Sequence, residues 1–380
     1  MKLKYTLFVA SFILCFLGCK QNKKRSVRGI ATTEKFQNVL DSIYALHKDA
    51  VGVMVHIESP EQNISWSGAA GFSEKDTGTS VEADQPVIIA SNTKTYVSVA
   101  ILRLVENAKL KLDDPIANLI SNRTDSLLTE NGYNTKEITI KYLLSHTSGI
   151  RDYAGTEVYF DMVKNNPKHQ WTRDEQIELA MSIDGPLGVP NSVFAYADTN
   201  YLLLTEIIES ATGQPFYEAI RMLINYQGLG LESTWFVTQE QYPEGTKLLV
   251  HQYVSSMGLD SYEIDQSFDS FGGGGLAATS KDLAVFLQSV FNDKVFRNSE
   301  TKDLLFSKAN PKEPMEGEYY LGLSSIDING VKGFGHGGFW GTAVNYFPEL
   351  NTTITVFILE RDKRVLRLTV NEALVKLLKK

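Results

Sequence analysis

A serine and a lysine three residues apart, Ser91 and Lys94, are the pair of side chains in this sequence best suited to chemistry. Apolar residues after them recur at helical steps, among them Val97, Ile101 and Leu104, which predicts a helix beginning at Ser91. Positions i and i+3 share one face of a helix, so the hydroxyl and the amine can meet. A serine becomes a good nucleophile when a neighbouring base takes its proton, and a helix N-terminus offers free N–H groups to a developing negative charge. The pattern predicts acyl transfer.

The same spacing occurs again at Ser299 and Lys302, so spacing alone does not identify a catalytic serine. The first copy follows an extended apolar segment, residues 86–90, and leads into an apolar helical pattern. The second copy lies in a polar stretch without other residues suited to catalysis. We therefore expect Ser91, and not Ser299, to be the reactive serine.

A second candidate group surrounds Tyr196, which is predicted to lie in a loop after Gly188 and Pro190 and before the helical run that starts at Leu202. A nearby ammonium favours the phenolate, so we expect Lys94 to lower the pKa of this tyrosine. Tyr196 would then act as general base for the serine and return the proton to the leaving group. The alternative is a half-buried structural tyrosine with a hydrogen-bonded hydroxyl.

The third group is a glycine-rich segment in which His336 is flanked by Gly335, Gly337 and Gly338. Glycine lets a substrate backbone approach a strand closely, and His336 would present a positive or hydrogen-bond donor group to it. The alternative is a structural turn with an unrelated histidine. The six histidines are scattered, and the sequence has neither an H-E-x-x-H nor a C-x-x-C motif, so we expect no metal site and no cofactor.

The elements that must position these groups are strands at both ends of the chain and helices between them. Strand patterns occupy residues 51–71 and 319–359, and helical patterns fill most of residues 151–235. Further helices are predicted at residues 33–47 and 362–380. Strands from the two ends of a chain commonly combine in one sheet, with the intervening helices packed against it.

These patterns predict an α+β (mixed α/β) fold: an antiparallel sheet built from both chain ends, flanked by helices. A mainly helical lobe is expected at about residues 110–270 of a folded domain that spans residues 31–380. Residues 138–146 predict one of its helices. Four consecutive glycines, residues 272–275, precede a helix predicted to begin near Ser280.

The first residues predict an export signal. Lys2 and Lys4 precede a short apolar core that ends just before Cys19, so residues 1–18 are predicted to be a signal peptide. The sequence around Cys19 resembles a bacterial lipoprotein signal, in which this cysteine is lipidated, and the polar residues 19–30 are interpreted as a solvated tether. The alternative is a plain secretion signal. We expect a protein of the bacterial cell envelope, anchored by lipid to a membrane and facing the periplasm or exterior.

Composition adds two expectations. The sequence has 45 acidic and 37 basic residues, a formal net charge of −8, which argues against a nucleic-acid partner. Both of its cysteines, Cys15 and Cys19, fall in the predicted export segment. The folded domain is therefore expected to contain no disulfide.

Taken in order, Ser-x-x-Lys, then Tyr-x-Asp about a hundred residues later, then His-x-Gly near the C-terminus resemble the signature of serine β-lactamases and penicillin-binding proteins. The similarity is to the branch that holds class C β-lactamases, D-alanyl-D-alanine carboxypeptidases, D-aminopeptidases and related esterases. It runs from about residue 35 to 375 and includes segments outside the motifs, such as residues 143–150 and 274–283. The resemblance implies the β-lactamase/DD-peptidase fold.

The resemblance also implies roles for individual residues. Ser91 would be the acylated nucleophile, and Lys94 and Tyr196 would transfer its proton. The backbone N–H groups of Ser91 and Phe339 would form the oxyanion hole, in which each donor contributes about 3 kcal/mol. The substrate-binding surface would be lined by Asp198, His336, Gly337 and Gly338.

Two positions depart from the usual motifs. Asp198 stands where the family often has asparagine, and an ionised carboxylate cannot donate a hydrogen bond to a substrate carbonyl. It can instead accept from Lys94 or face a cationic substrate group. His336 stands where lactamases have lysine, and a mostly neutral histidine is a weaker anchor for a carboxylate. Both departures favour substrates other than β-lactams.

The sequence therefore predicts an envelope serine hydrolase that acts through an acyl-Ser91 intermediate on small peptides or amides, including peptidoglycan-derived peptides. It would be similar to a D-alanyl-D-alanine carboxypeptidase or a D-aminopeptidase. The alternatives are an esterase or β-lactamase of the same fold and, from another class, a non-catalytic lipoprotein that binds muropeptides or a partner. Intact Ser91, Lys94 and Tyr196 argue against this last alternative, since binding does not require all three.

Overall fold

The computed structural model describes residues 22–308 and 318–379, with side chains described from residue 33. The helices over these ranges are α1 (Asn22–Leu46), α2 (Thr93–Glu106), α3 (Asn122–Glu130), α4 (Ile140–Leu144), α5 (Glu157–Asn165), α6 (Arg173–Ile183), α7 (Asp198–Thr212), α8 (Phe216–Ile224), α9 (Tyr226–Leu229), α10 (Ser280–Phe291), α11 (Ser299–Leu304) and α12 (Leu366–Leu378). The strands are β1 (Gly52–Ser59), β2 (Ile64–Gly71), β3 (Val87–Ile88), β4 (Thr234–Phe236), β5 (Tyr253–Val254), β6 (Leu259–Asp260), β7 (Leu276–Ala278), β8 (Ser324–Ile328), β9 (Val331–Gly337), β10 (Thr342–Phe347) and β11 (Thr352–Ile358).

A six-stranded antiparallel sheet joins the two ends of the chain in the order β2-β1-β11-β10-β9-β8. The N-terminal hairpin meets the C-terminal strands where β1 pairs with β11, with Val53 opposite Ile358 and Val55 opposite Val356. A smaller sheet, β3-β7-β4, lies beside the start of α2. The predicted sheet built from both chain ends is confirmed.

Helices cover both faces of the large sheet, which is why its central strands are buried on both sides. Val53, Val55 and Ile57 of β1 pack in one core with residues of α1 and α12, whereas Met54 belongs to the larger core on the opposite face. This alternation follows from the two-residue repeat of a strand. On the second face α10 packs against β1, β10 and β11.

The helices α3 to α9 follow one another in residues 122–229, inside the region predicted as a helical lobe. α7 and α8 pack against α2, which connects this region to the sheet. α7 ends at Gly213, whose φ of 69° is a left-handed conformation that glycine adopts without strain. The starts of α2 and α7 and the end of β9 meet at one place, where the three candidate motifs lie.

The N-terminal helix is longer than predicted. Residues 22–30, interpreted from the sequence as part of a solvated tether, belong to α1, which begins at Asn22. Lysine and arginine are good helix formers, and in this segment only Gly29 strongly disfavours a helix. Cys19 and the predicted signal peptide lie outside the described residues. Within the described ranges, none of the helices has the length and apolar character that a membrane crossing requires.

The helix predicted at residues 138–146 is shorter than expected. Thr139 caps it by accepting from Tyr142 N, so α4 begins only at Ile140. At the other end the chain leaves the helix after Leu144, and His146 adopts a left-handed φ of 57°. A residue with this conformation cannot continue an α-helix.

Candidate active site

The helix predicted to begin at Ser91 begins instead at Thr93, because Ser91 lies in a short 3-10 turn, Ala90–Asn92, that leads directly into α2. Ala90 has a φ of 47°, a left-handed conformation that is strained for a residue with a Cβ. Asn92 holds the turn: its Nδ2 donates to Ile89 O at 2.7 Å and to Thr342 Oγ1 at 2.8 Å. Because Thr342 belongs to β10, the sheet fixes the position of Ser91.

Lys94 is fully buried one turn further along, and its ammonium has three acceptors. Nζ lies 3.1 Å from Ser91 Oγ, 2.6 Å from Gly273 O and 2.6 Å from Asp198 Oδ1. Burial alone would lower the pKa of Lys94, but the charge of Asp198 and the neighbouring Tyr196 outweigh it and raise the pKa. Lys94 is therefore an ammonium that donates to Ser91, and of the two alternatives left open for Asp198 the structure shows the contact with Lys94.

The four-glycine run packs around this ion pair. A Cβ at Gly273 would lie 3.0 Å from Asp198 Cβ, and a Cβ at Gly274 would overlap the carboxylate of Asp269. The carboxylates occupy the space that side chains in the run would need. A side chain at Gly273 would press against Asp198, the ion-pair partner of Lys94, so glycine favours the close packing seen there.

Tyr196 lies in the loop before α7, and its ring centre is 4.9 Å from Lys94 Nζ. Although 39% of the residue is exposed, its hydroxyl lies near Lys94 and Ser91. Burial of this end raises the pKa of Tyr196, and this outweighs the lowering by Lys94. The expectation of a lowered tyrosine pKa was therefore wrong, because it ignored burial and the negative charge of Asp198. The resting phenol keeps its proton.

His336 has the neutral state expected from the sequence, but it does not present the expected positive or donor group to a substrate. Its Nδ1 lies 2.7 Å from Gly337 O and its Nε2 3.1 Å from Tyr319 Oη. A carbonyl only accepts, so Nδ1 carries the proton and Nε2 accepts from the tyrosine hydroxyl. Burial, followed by the charge of Lys94, lowers the pKa of His336 to about 4. The residue is neutral at pH 7, with both nitrogens bonded inside the protein, and presents no positive charge to a substrate.

The end of β9 touches the Ser91 turn through Gly338. A Cβ on this residue would overlap Ile89 O and Thr342 Oγ1, so glycine alone permits the contact. Phe339 follows directly and is thereby brought beside the turn. Its ring stacks on that of Phe160 from α5, with 5.9 Å between ring centres.

The close approach of a substrate backbone that was predicted for this strand is possible at its end. β8 pairs with β9 from Val331 as far as Gly335. Gly337 lies beyond the last pair and is exposed. Among the described residues, the part of β9 that β8 leaves open to a substrate backbone lies beside His336 and Gly337.

Sequence reasoning missed two carboxylates next to Asp198. Asp152 Oδ1 accepts from Asp198 N at 2.8 Å. Burial, followed by the charge of Asp198, raises the pKa of Asp152 to about 7 and that of Asp269 to about 8. Their only sequence signals are their positions just after residues 143–150 and just before the glycine run. In the described ranges, no group of three or more acidic, histidine or cysteine side chains is arranged to hold a metal ion.

The arrangement suits acyl transfer to Ser91. A hydroxyl on a strained turn is held by an ammonium, and a protonated phenol lies beside both. The amides of Ser91 and Phe339 lie on two segments that Gly338 brings into contact. In such a site the serine oxygen can attack a carbonyl carbon. The serine proton can be transferred even though neither Lys94 nor Tyr196 is a free base in the resting enzyme.

Comparison with known proteins defines the class. The solved structure of the D-amino acid amidase from Ochrobactrum anthropi SV3, complexed with L-phenylalanine amide, matches 92% of this chain and 98% of its own with a TM-score of 0.75 at 21% identity. This likeness shows the β-lactamase/DD-peptidase fold. Together with the similarity of the sequence to β-lactamase-family proteins, this fold defines a serine hydrolase of the β-lactamase and penicillin-binding-protein superfamily.

The family model described as Beta-lactamase matches residues 43–374, so the chain belongs to this family. The putative D-alanyl-D-alanine carboxypeptidase of Escherichia coli K12 is 27% identical over 337 residues, which cover 78% of this chain and 75% of the relative. Penicillin-binding protein 4* of Bacillus subtilis is 23% identical over 257 residues, which cover 64% of this chain and 53% of the relative. The match thus spans about half the length of that second relative.

Proposed function

We propose that this protein hydrolyses short peptides or amides containing D-amino acids through an acyl-Ser91 intermediate. The observation that carries the proposal is Lys94 Nζ, 3.1 Å from Ser91 Oγ and bonded to Asp198, with the Tyr196 hydroxyl beside both. A leucine at position 94 could fill the same space in α2, so the packing of this helix does not require a buried ammonium. Burying it costs free energy unless every donor is satisfied.

The raised pKa values of Lys94 and Tyr196 favour one route for the serine proton. Because Lys94 is already an ammonium and Tyr196 keeps its proton, neither is a free base at rest. In the proposed step Ser91 Oγ attacks the carbonyl carbon and passes its proton to Tyr196 Oη as the phenol gives its own proton to the leaving nitrogen. The C–N bond breaks and a neutral amine departs. Lys94 stabilises the negative charge that develops on the phenol oxygen, and water later releases the acyl group by the reverse relay.

The acidic surroundings of the site favour a substrate with a free amino group. Asp198, Asp152 and Asp269 lie together, and Asp198 has no amide with which to donate to an acylamide carbonyl. The raised pKa values of Asp152 and Asp269 leave these two carboxyls largely protonated near neutral pH, so the opposite charge for a substrate ammonium would come from Asp198, which also pairs with Lys94. This supports an activity similar to that of a D-aminopeptidase or D-amino acid amidase over that of a β-lactamase.

A second candidate, D-alanyl-D-alanine carboxypeptidase activity, is favoured by a pair of arginines beside the end of β9. Arg361 lies 4.4 Å from the centre of the Phe339 ring, and a Cβ on Gly337 would lie 3.2 Å from Arg367 Nη1. In the described ranges, neither arginine forms an ion pair with a carboxylate. A free C-terminal carboxylate on the leaving residue would find a cationic partner here.

The test is intact-mass analysis and turnover with four classes of compound: D-aminoacyl amides, peptides ending in D-Ala-D-Ala, β-lactams and p-nitrophenyl esters. We expect an adduct on wild type, absent from Ser91→Ala, and faster turnover of the first two classes. Turnover of the esters alone would favour the esterase. Specific binding of muropeptides without any adduct would favour the non-catalytic binding lipoprotein.

We further propose that Cys19 carries a lipid that anchors the protein to a membrane of the cell envelope. The support is the short apolar core that ends just before this cysteine. Wild type should partition into the detergent phase, and Cys19→Ser should give a soluble or unprocessed form. Wild-type protein found wholly soluble, with cleavage at another residue, would contradict the anchor.

A further inference from the structure

One buried residue, His146, contacts the Tyr196 loop in three ways. Its backbone O accepts from Ala195 N at 2.9 Å, and its Nδ1 accepts from Ala197 N at 3.2 Å. Its imidazole ring packs against the phenol ring, with 4.2 Å between centres and 34° between planes. Both peptide N–H groups that flank Tyr196, and the tyrosine ring itself, are thus held by a single residue.

The surroundings fix which ring nitrogen of His146 accepts. Ser148 Oγ donates to Asn200 Oδ1 at 2.6 Å, which turns the amide nitrogen of Asn200 towards His146 Nδ1 at 3.2 Å. Nδ1 therefore faces two donors and is unprotonated, while Nε2 carries the proton. Burial, followed by the charge of Lys94, lowers the pKa of His146 well below its usual value. The ring stays neutral, and Nδ1 remains an acceptor at neutral pH.

The geometry of His146 is costly for a residue that only fills space. Its φ of 57° is left-handed, and its Nε2 is buried among described residues without a hydrogen-bond partner. Two further aromatic rings enclose it, those of Tyr201 and Tyr319, at 5.2 and 4.9 Å between centres. Strained backbone and unsatisfied buried groups persist where the surroundings impose them, and they concentrate at functional sites.

We infer that His146 is a positioning residue, which holds the Tyr196 hydroxyl in place between Ser91 and Lys94. The inference rests on the proposed function, in which Tyr196 relays the proton. His146 is 0% exposed, so it cannot touch a bound substrate and must act on acylation through Tyr196. Displacing a reacting group by about 1 Å can slow a reaction about a hundredfold.

Two substitutions separate the contacts of His146. His146→Asn tolerates the left-handed backbone and keeps an acceptor near the place of Nδ1, but it loses the ring. His146→Phe keeps a ring and loses the acceptor. We expect both to slow labelling of Ser91 by a fluorophosphonate about tenfold or more, with KM for a p-nitrophenyl ester changed less than about twofold. His56→Asn is the matched control, since His56 is another buried histidine, on β1, and this variant should label at the wild-type rate.

The decisive measurement repeats His146→Asn in a Tyr196→Phe background, with slow labelling followed by intact mass over hours. A residue that acts through Tyr196 should cause no further loss once the phenol hydroxyl is gone. The same fold-loss in both backgrounds would show a general structural role and overturn the inference. Unchanged labelling of both His146 variants would also overturn it. A wild-type protein without any Ser91 adduct would instead overturn the proposed function beneath it.

Discussion

The two Ser-x-x-Lys segments of this chain have the same spacing and different surroundings. In the first, the buried Lys94 donates to Ser91 Oγ, with Asp198 and Gly273 O as its other acceptors. In the second, Lys302 is directed to Asp293 Oδ1 at 2.6 Å. The lysine side chain of this second pair is 18% exposed and its partner carboxylate 60%. One ammonium is held inside a site, and the other forms a surface ion pair.

The difference lies in the helices that carry the two segments. α2 is buried along most of its length, so a lysine near its start must find every partner within the protein. α11 is a short surface helix with Thr301 as its one buried residue, so Lys302 can be solvated. The three-residue spacing that both pairs share does not encode this difference. Burial decides whether the pair performs chemistry or forms an ordinary surface contact.

The largest effect should separate the two serines. Ser91→Ala should lower acylation by about 10⁴-fold or more, because no other group supplies the nucleophile. Ser299→Ala should be silent. A fluorescent penicillin or a fluorophosphonate, followed by peptide mapping, measures both variants. Continued labelling of Ser91→Ala at another serine would contradict the assignment of Ser91 as the reactive serine.

The next effect concerns the two lysines. Lys94→Met and Tyr196→Phe should each slow acylation about a thousandfold, and the double variant should be little slower than either, since groups in one relay are not additive. Lys302→Met is the control and should leave acylation unchanged. Single-turnover kinetics on an activated ester measure all four. Independent losses that multiply in the double variant would argue against a shared relay.

Much of this architecture is predictable because it follows from local patterns. Alternating strands at both chain ends predict the β1–β11 sheet, and helical spacing after Ser91 predicts its approach to Lys94. The residues that modify the site could not be predicted in the same way. Asp152 and Asp269 reach Asp198 only through tertiary packing, and their raised pKa values come from burial.

The direction of the shift in the pKa of Tyr196 was also beyond the sequence. A lysine near Tyr196 lowers its pKa, yet burial acts in the opposite direction and is the larger effect. The lowered pKa of His336 comes first from burial and then from the charge of Lys94, and it strengthens the neutral state already expected from the sequence. Local spacing brings two groups together, whereas their protonation depends on everything packed around them.

A smaller effect should separate the carboxylates that pair with the two lysines. Asp198→Asn keeps an acceptor for Lys94 and gains an amide donor, so hydrolysis of acylamide-bearing β-lactams should rise about tenfold, or about 1.4 kcal/mol. Turnover of a D-aminoacyl anilide should fall, because the substrate ammonium loses an opposite charge. Asp293→Asn, at the second lysine, should change neither. If Asp198→Asn changes the turnover of both substrates equally, the Asp198 carboxylate does not discriminate between them.

The smallest effect is a pH dependence of stability that arises beside the first lysine. Burial, followed by the charge of Asp198, raises the pKa of Asp269 from 3.8 to about 8. Lys94 opposes this shift, and Asp152 adds to it. The folded protein therefore keeps a proton that the unfolded chain releases above about pH 4.

The sign follows from this difference in bound protons. Stability from Asp269 is fully present below the unfolded pKa and is lost as pH rises towards about 8. Asp269→Asn should reduce the fall in the free energy of unfolding between pH 5 and pH 8 by about 1 kcal/mol or more. Asp293→Asn is the control, because its partner Lys302 lies at the surface, and should leave the wild-type slope intact. Urea denaturation at several pH values measures these slopes, and the comparison is independent of any constant loss of stability in the variants. An unchanged slope in Asp269→Asn would mean that the buried carboxylates near Lys94 take up no proton on folding.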